Sequence, residues 1–222
     1  MKYKVGYIDE DPSQFKKYER ELREYFDVVG YDITRGLTLD ALIDQVYKSD
    51  IDLLMVDYLM VNQGILTYNG DEVARAYAEI KPRFPVIIFT NEEAQAFPHV
   101  DDPNSIYDKA EVKDNLKHFS EKVIKTIQHY QNYVTKRKDI IGTLLEKGEK
   151  EGLSAEETHS LIEAQQELSM LDKRSNEVPL QLLEQKKIDD LSRTTKEAEE
   201  FLESLIKKKK NDSPERHNPD QA

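Results

Sequence analysis

Residues 52–59 read DLLMVDYL, in which the apolar run LLMV stops at Asp57. A strand that is apolar at every position is typical of the middle of a parallel sheet, because helices cover both faces of such a sheet. Residues 85–90 (PVIIFT) repeat this pattern and end at Thr90. The two runs predict a parallel sheet with polar residues at its carboxyl edge, where open α/β sheets bind their ligands.

The segments on either side alternate between strand patterns and helix patterns. Strands are predicted at residues 4–8, 31–34, 52–56, 85–89 and 106–107. Helices are predicted at residues 13–26, 39–48 and 70–81. Residues 92–105 are a poor helix, so the fourth helix is expected to be short. Because strands and helices alternate, the fold class is predicted as α/β, with a doubly wound five-stranded parallel sheet.

The second half of the chain contains helix patterns only. A long helix is predicted from near Glu111, with Gly148 and Gly152 breaking it. Ser154 and Glu157 form a capping box that predicts the start of another helix. Residues 175–179 are predicted to turn into a further helix. The expected organisation is an α/β domain (1–125), a helical hairpin or bundle that extends its last helix (126–206) and a disordered tail (207–222).

Composition restricts the classes of function. The chain has 222 residues, a net charge of −12 and no cysteine, which excludes disulfides and cysteine metal sites. Residues 1–110 carry 12 Lys and Arg against 21 Asp and Glu, which opposes non-specific DNA binding. No apolar run approaches the roughly 18 residues of a membrane span, and the N-terminus does not resemble a signal peptide. We therefore expect a cytoplasmic protein without a membrane span.

Polar residues follow four of the predicted strands. Asp9 and Glu10 follow the first, Asp57 the third, Thr90 the fourth and Lys109 the fifth. Clustered carboxylates favour a hard divalent cation such as Mg²⁺. A carboxylate can also act as a nucleophile, and phosphoryl transfer depends mainly on positioning and on electrostatic stabilisation. The pattern therefore predicts a Mg²⁺-dependent site for phosphoryl transfer.

The motifs that carry these residues are YIDEDP, VDYLM, PVIIFTN and YDKAE. In this order and spacing, over about residues 3–125, they resemble the response-regulator receiver (CheY-like) family. The helical region that follows resembles no recognised family. The resemblance implies a flavodoxin-like sheet with the strand order 2-1-3-4-5.

The resemblance also implies a role for each site residue. Asp57 is expected to accept the phosphoryl group, Thr90 to supply the switch hydroxyl and Lys109 to be the invariant lysine. The implied metal ligands are Glu10 directly, Asp9 through water, Asp57, and the main-chain carbonyl of Leu59.

Several positions depart from the pattern of the family. Glu10 is longer than the usual aspartate, and Ala110 replaces the proline that follows the lysine. Ile106 stands where an aromatic switch residue is usual, and residues 62–69 form an insertion predicted to lie over the site. These departures affect the expected coordination geometry of a bound metal ion and the way in which the domain would signal to a partner.

The predicted function is a two-component phosphorelay response regulator. Its partner would be a histidine kinase or a phosphotransfer protein, and its own catalysis would be limited to phosphotransfer onto Asp57. The output would be protein–protein contact, a homodimer through the long helix, or a role as phosphate relay or sink. No helix-turn-helix with a basic recognition helix is present, so no DNA partner is expected. The alternative is a pseudo-receiver, a scaffold that works without phosphorylation.

Overall fold

The computed structural model describes residues 2–62 and 64–175. Within them, five parallel strands form one sheet in the order β2-β1-β3-β4-β5. The strands are β1 (Tyr3–Ile8), β2 (Phe26–Gly30), β3 (Leu53–Val56), β4 (Val86–Thr90) and β5 (Ile106–Asp108). The predicted sheet and its strand order are confirmed.

Side-chain hydrogen bonds to backbone amides cap the starts of several helices. They are α1 (Pro12–Leu22), α2 (Leu39–Lys48), α3 (Gly70–Ile80), α4 (Glu93–Ala96), α5 (Lys109–Lys150) and α6 (Ala155–Leu171). The side chain of Thr38 accepts a hydrogen bond from the amide of Ala41 at the start of α2. Ser154 and Glu157 form the predicted capping box at the start of α6. Helix α4 has a single turn, which agrees with the prediction of a short fourth helix.

Each face of the sheet has its own apolar core. One core joins alternate strand residues to α2 and α3, and includes Ile8, Val56, Ile88, Leu42, Val73 and Tyr77. The other core joins the intervening strand residues to α1 and α5, and includes Tyr7, Met55, Phe89, Tyr18, Phe119 and Val123. Successive strand side chains point to opposite faces, so helices on both sides bury all four residues of β3 and most residues of β1 and β4.

The second strand differs from the prediction. Helix α1 ends at Leu22, and the strand occupies Phe26–Gly30 rather than residues 31–34. Phe26 lies four residues after Leu22, a spacing that suits the continuation of a helix as well as the start of a strand. Residues 26–30 form a strand because they pair in parallel with β1, in a register that begins with Tyr3 opposite Phe26.

The insertion packs against the core on the α2 and α3 face. Leu66 and Tyr68 are buried in that core. The carbonyl of Ile65 accepts a hydrogen bond from the amide of Gly36, which ties the insertion to the segment before α2. The insertion therefore contributes to packing, a role that its sequence did not reveal.

The long helix and the helix after it form a hairpin. Helix α5 runs from Lys109 to Lys150 and departs from helical geometry at Asn115. Gly148 stays within α5, contrary to the prediction, and Gly152, with a φ of +80°, lies in the turn to α6. Ion pairs Lys147–Glu157 and Arg137–Glu167 show that α6 runs back along α5.

Apart from Ser175, the predicted turn at 175–179 lies outside the described residues, as do the helix after it and the tail at 207–222. The domain boundary near residue 125 stays a prediction. In the part of the chain that the structure describes, no helix has the length and apolar character needed to cross a membrane.

Candidate functional site

Three of the predicted site residues are in direct contact at the carboxyl edge of the sheet. The Lys109 ammonium nitrogen lies 2.9 Å from Oδ1 of Asp57 and 3.0 Å from Oδ2 of Asp9. The three side chains are nearly inaccessible to water, with exposed fractions of 6% for Lys109, 14% for Asp57 and 3% for Asp9. A buried lysine thus bridges the buried carboxylate of Asp9 and the largely buried carboxylate of Asp57.

The strand register explains why these carboxylates meet. Ile8 pairs with Val56, so Asp9 and Asp57 follow at the same edge of neighbouring strands. Gly70 begins α3 directly against this edge: a Cβ atom there would lie 2.2 Å from the carbonyl oxygen of Asp57. Only glycine lets α3 approach the end of β3 this closely.

Asp9 is held by three protein donors. Its Oδ2 atom accepts hydrogen bonds from the Tyr7 hydroxyl at 2.5 Å and from Lys109 at 3.0 Å, and its Oδ1 atom accepts from the amide of Asp11 at 2.9 Å. Tyr7 precedes Asp9 by two residues, so the two side chains point to the same face of β1. The sequence interpretation missed Tyr7, although this alternation was a signal that could have revealed it.

Aromatic rings surround the apolar side of the lysine. The Lys109 ammonium nitrogen lies 5.9 Å from the ring centroids of Tyr7, Tyr18 and Phe89. At this distance a cation is attracted to the face of an aromatic ring. The rings also contact one another edge to face, at centroid distances of 4.8–5.9 Å. Lys109 is therefore held between two carboxylates and an aromatic cluster.

Burial and neighbouring charges shift the pKa values of these groups. Burial raises the pKa of Asp57, and Lys109 only partly opposes that rise. Burial alone would lower the pKa of Lys109, but the carboxylates of Asp57 and Asp9 outweigh it and raise the pKa. Burial, and then Asp9, raises the pKa of Tyr7. Lys109 is therefore charged at neutral pH, and Tyr7 keeps the proton that it donates.

The other predicted residues lie at the same edge or close to it. Thr90 is 1% exposed at the end of β4, and its hydroxyl accepts a hydrogen bond from the amide of Glu92. Glu10 is buried next to Asp9. Leu59 is half-buried two residues after Asp57. The roles of Thr90, Glu10 and the Leu59 carbonyl stay predictions.

The chemistry of the acidic residues fits Mg²⁺, because all the donors are hard oxygen atoms. Asp9, Glu10 and Asp57 are the acidic residues at this edge that would supply those oxygen atoms. Within residues 2–62 and 64–175, however, no three acidic or histidine side chains are grouped closely enough to hold a metal ion. Lys109 occupies the space between Asp9 and Asp57, so a cation would have to share their oxygen atoms with protein donors.

No protein-family model matches the sequence, and no curated protein matches it. Solved structures do match. The chain is similar to a beryllofluoride-activated receiver domain of DrrB, at 18% identity and a TM-score of 0.39, over 58% of this chain and 99% of that one. It is similar to the RcsB response regulator of Salmonella typhimurium, at 15% identity and a TM-score of 0.45, over 79% and 94% of the two chains.

A third match is the anti-anti-sigma factor PhyR from Bartonella quintana, at 15% identity and a TM-score of 0.42. It covers 61% of this chain and 51% of that one. The fold assignment rests on the sheet itself, through its strand order, the direction of its strands and the helices on both faces. On these features the chain has the doubly wound fold of response-regulator receivers (CheY-like), followed by a helical C-terminal region.

Proposed function

We propose that the protein is a phosphorelay receiver that accepts a phosphoryl group on Asp57 from a histidine of a partner kinase or phosphotransfer protein. The observation that carries this proposal is the buried contact of Lys109 with Asp57 at 2.9 Å and with Asp9 at 3.0 Å. A carboxylate nucleophile beside a fixed ammonium is the arrangement that phosphoryl transfer to a side chain needs.

The reaction requires little from the protein beyond placement and charge. A carboxylate oxygen of Asp57 attacks the phosphorus atom, a P–O bond forms, and the P–N bond to the donor histidine breaks. The bonding electrons stay on the imidazole nitrogen, which then takes a proton. Lys109 would offer its charge to an oxygen of the transferred group, and the Thr90 hydroxyl would donate a hydrogen bond to another.

Asp9, Glu10, Asp57 and the Leu59 carbonyl would hold Mg²⁺, which would neutralise charge on the phosphoryl oxygens. The chain's own contribution is to keep Asp9 and Asp57 on either side of Lys109 and to exclude most water from them. Burial raises the pKa of Asp57, which makes its carboxylate more basic than an exposed aspartate.

The helical hairpin is the proposed output element. Ile140 and Leu145 on α5 and Met170 on α6 are large apolar residues that are 39–61% exposed. Such residues suit contact with a downstream protein or with a second copy of the chain. The acidic α/β half favours protein partners over DNA, because DNA binding depends on Lys and Arg that neutralise phosphates.

The test is intact-mass spectrometry of the full chain after incubation with Mg²⁺ and acetyl phosphate, and then with a phosphorylated histidine donor. The wild type should gain one phosphoryl group, and Asp57→Asn should gain none. Asp52→Asn is the matched control, because Asp52 precedes the same strand at its other end and bonds to Lys4 and Gln131. Phosphorylation of Asp57→Asn would contradict the assignment.

One observation favours a second candidate, a scaffold that works without phosphorylation. Lys109 already forms an ion pair with each of the two carboxylates, and in the described ranges no three acids gather into a metal site. If this candidate is correct, Asp57→Asn will leave partner binding and cellular function unchanged. A phosphorylated wild type whose partner binding is lost in Asp57→Asn would exclude it.

A further inference from the structure

The hydroxyl of Tyr7 lies within the site, and the proposed function gives it no task. Tyr7 is 1% exposed, and its hydroxyl donates to Oδ2 of Asp9 at 2.5 Å. Its ring contacts Tyr18 and Phe89 edge to face, which holds the phenol in one orientation. A buried tyrosine hydroxyl needs a hydrogen-bond partner, and here that partner is a carboxylate of the candidate site.

The hydrogen bonds of Asp9 show what Tyr7 changes. An ionised carboxylate has about four lone-pair positions. Two on Oδ2 are taken by Tyr7 and Lys109, and one on Oδ1 is taken by the amide of Asp11. Asp9 therefore has about one acceptor position left for a cation or for a water molecule bound to it.

From this competition we infer that Tyr7 is a positioning residue that weakens divalent-cation binding by holding Oδ2 of Asp9. This inference rests on the proposed function, because it concerns the same acidic edge. Without the Tyr7 hydroxyl, a buried carboxylate oxygen loses one donor, and a bound cation compensates for that loss. Without a cation, the site is then a closed cluster of ion pairs. A cation that binds there competes with the Tyr7 hydroxyl for Oδ2 of Asp9.

The test measures Mg²⁺ binding to the full chain by isothermal titration calorimetry, with Mg²⁺ as the only ligand. Tyr7→Phe keeps the ring and removes the hydroxyl. Because a hydrogen bond to a charged group contributes on the order of a tenfold change in an equilibrium, Tyr7→Phe should bind Mg²⁺ about tenfold more tightly than the wild type.

Tyr107→Phe is the matched control. Tyr107 precedes Lys109 by two residues, as Tyr7 precedes Asp9, and it is buried in the same core. Its hydroxyl faces Thr126 instead of a site carboxylate. Its removal should leave the Mg²⁺ affinity at the wild-type value.

An Asp9→Asn background tests whether Tyr7 acts through Asp9. In that background, Tyr7→Phe should no longer change the Mg²⁺ affinity. Equal or weaker binding by Tyr7→Phe than by the wild type would overturn the inference, as would the same tightening in the Asp9→Asn background. Binding that is measurable only in Tyr7→Phe would support it.

The phosphorylation assay separates the two proposals. A wild type phosphorylated on Asp57, with equal Mg²⁺ affinities in wild type and Tyr7→Phe, would overturn the role of Tyr7 alone. No binding by either protein would overturn both the inference and the Mg²⁺ part of the proposed function. A Tyr7→Phe variant that binds tightly while Asp57 stays unphosphorylated would support the inference and contradict the proposed function.

Discussion

Two lysine–carboxylate clusters lie at opposite edges of the sheet. At the carboxyl edge, Lys109 contacts Asp9 and Asp57. At the amino edge, Lys81 lies 3.3 Å from Asp172, just after α6, and its ammonium nitrogen is 4.9 Å from the Tyr47 ring centroid. Both clusters combine an ammonium, a carboxylate and an aromatic ring.

The clusters differ in their access to water. The side chains of Lys109 and Asp57 are 6% and 14% exposed, against 21% and 25% for Lys81 and Asp172. Water can replace a lost partner in the second cluster but not in the first, where an unpaired charge would stay buried. The same residue types therefore form the candidate functional site at one edge. At the other edge they form a partly exposed ion pair that attaches the end of the helical hairpin to the α/β domain.

Removing each lysine in turn should give the largest difference in the free energy of unfolding between the two clusters. Lys109→Ala leaves two buried carboxylates without their cation and should lower the free energy of unfolding by about 3–5 kcal/mol. Lys81→Ala should lower it by no more than about 1 kcal/mol. Urea unfolding followed by circular dichroism measures both, and equal losses would remove the distinction between the two clusters.

A pair of glycines compares the carboxyl edge with the hairpin. Gly70→Ala forces a Cβ atom against the carbonyl of Asp57 and should destabilise the fold by about 1–3 kcal/mol. Gly142→Ala in α5 meets no atom within 4 Å and should stabilise by up to about 1 kcal/mol, because alanine favours a helix. Thermal unfolding checks the two signs, and a stable Gly70→Ala variant would show that α3 is free to move away from β3.

The third prediction concerns the pH dependence that Asp57 gives to the fold. Its pKa is raised in the folded state, so its favourable contribution is complete below the ordinary aspartate pKa and is lost as the pH rises through the raised value. Asparagine does not titrate. The free energy of unfolding of Asp57→Asn, relative to the wild type, should therefore increase as the pH rises above the ordinary aspartate pKa of about 4. A difference that is constant with pH would contradict the burial of this carboxylate.

The smallest effect is expected at the amino edge. Asp172→Ala removes the acceptor for Tyr47 and the partner of Lys81, and should lower the free energy of unfolding by up to about 1 kcal/mol. Hydrogen exchange in the last turn of α6 should become faster, while phosphorylation of Asp57 stays unchanged. Asp44→Ala is the control, because its pair with Arg174 is well exposed. A change in Asp57 phosphorylation would show that the two edges are coupled.

Much of the fold was predictable because its signals are local. The apolar runs of β3 and β4, the cap at Thr38 and the capping box of Ser154 each involve only a few neighbouring residues. The second strand was not predictable in the same way, because Phe26 satisfies a helical spacing and a strand equally well. Its pairing with Tyr3 joins residues more than 20 positions apart.

The sequence alone determined four of the five strands, the capped helices and the polar residues that follow the strand ends, because periodicity and hydrogen-bonding preferences act over short distances along the chain. Only the tertiary structure decided which of those residues meet. Lys109 reaches Asp9 across 100 positions, and the same Asp9 oxygen accepts from Tyr7. Such contacts depend on strand register and on burial, which turn separate polar residues into one ion-paired cluster.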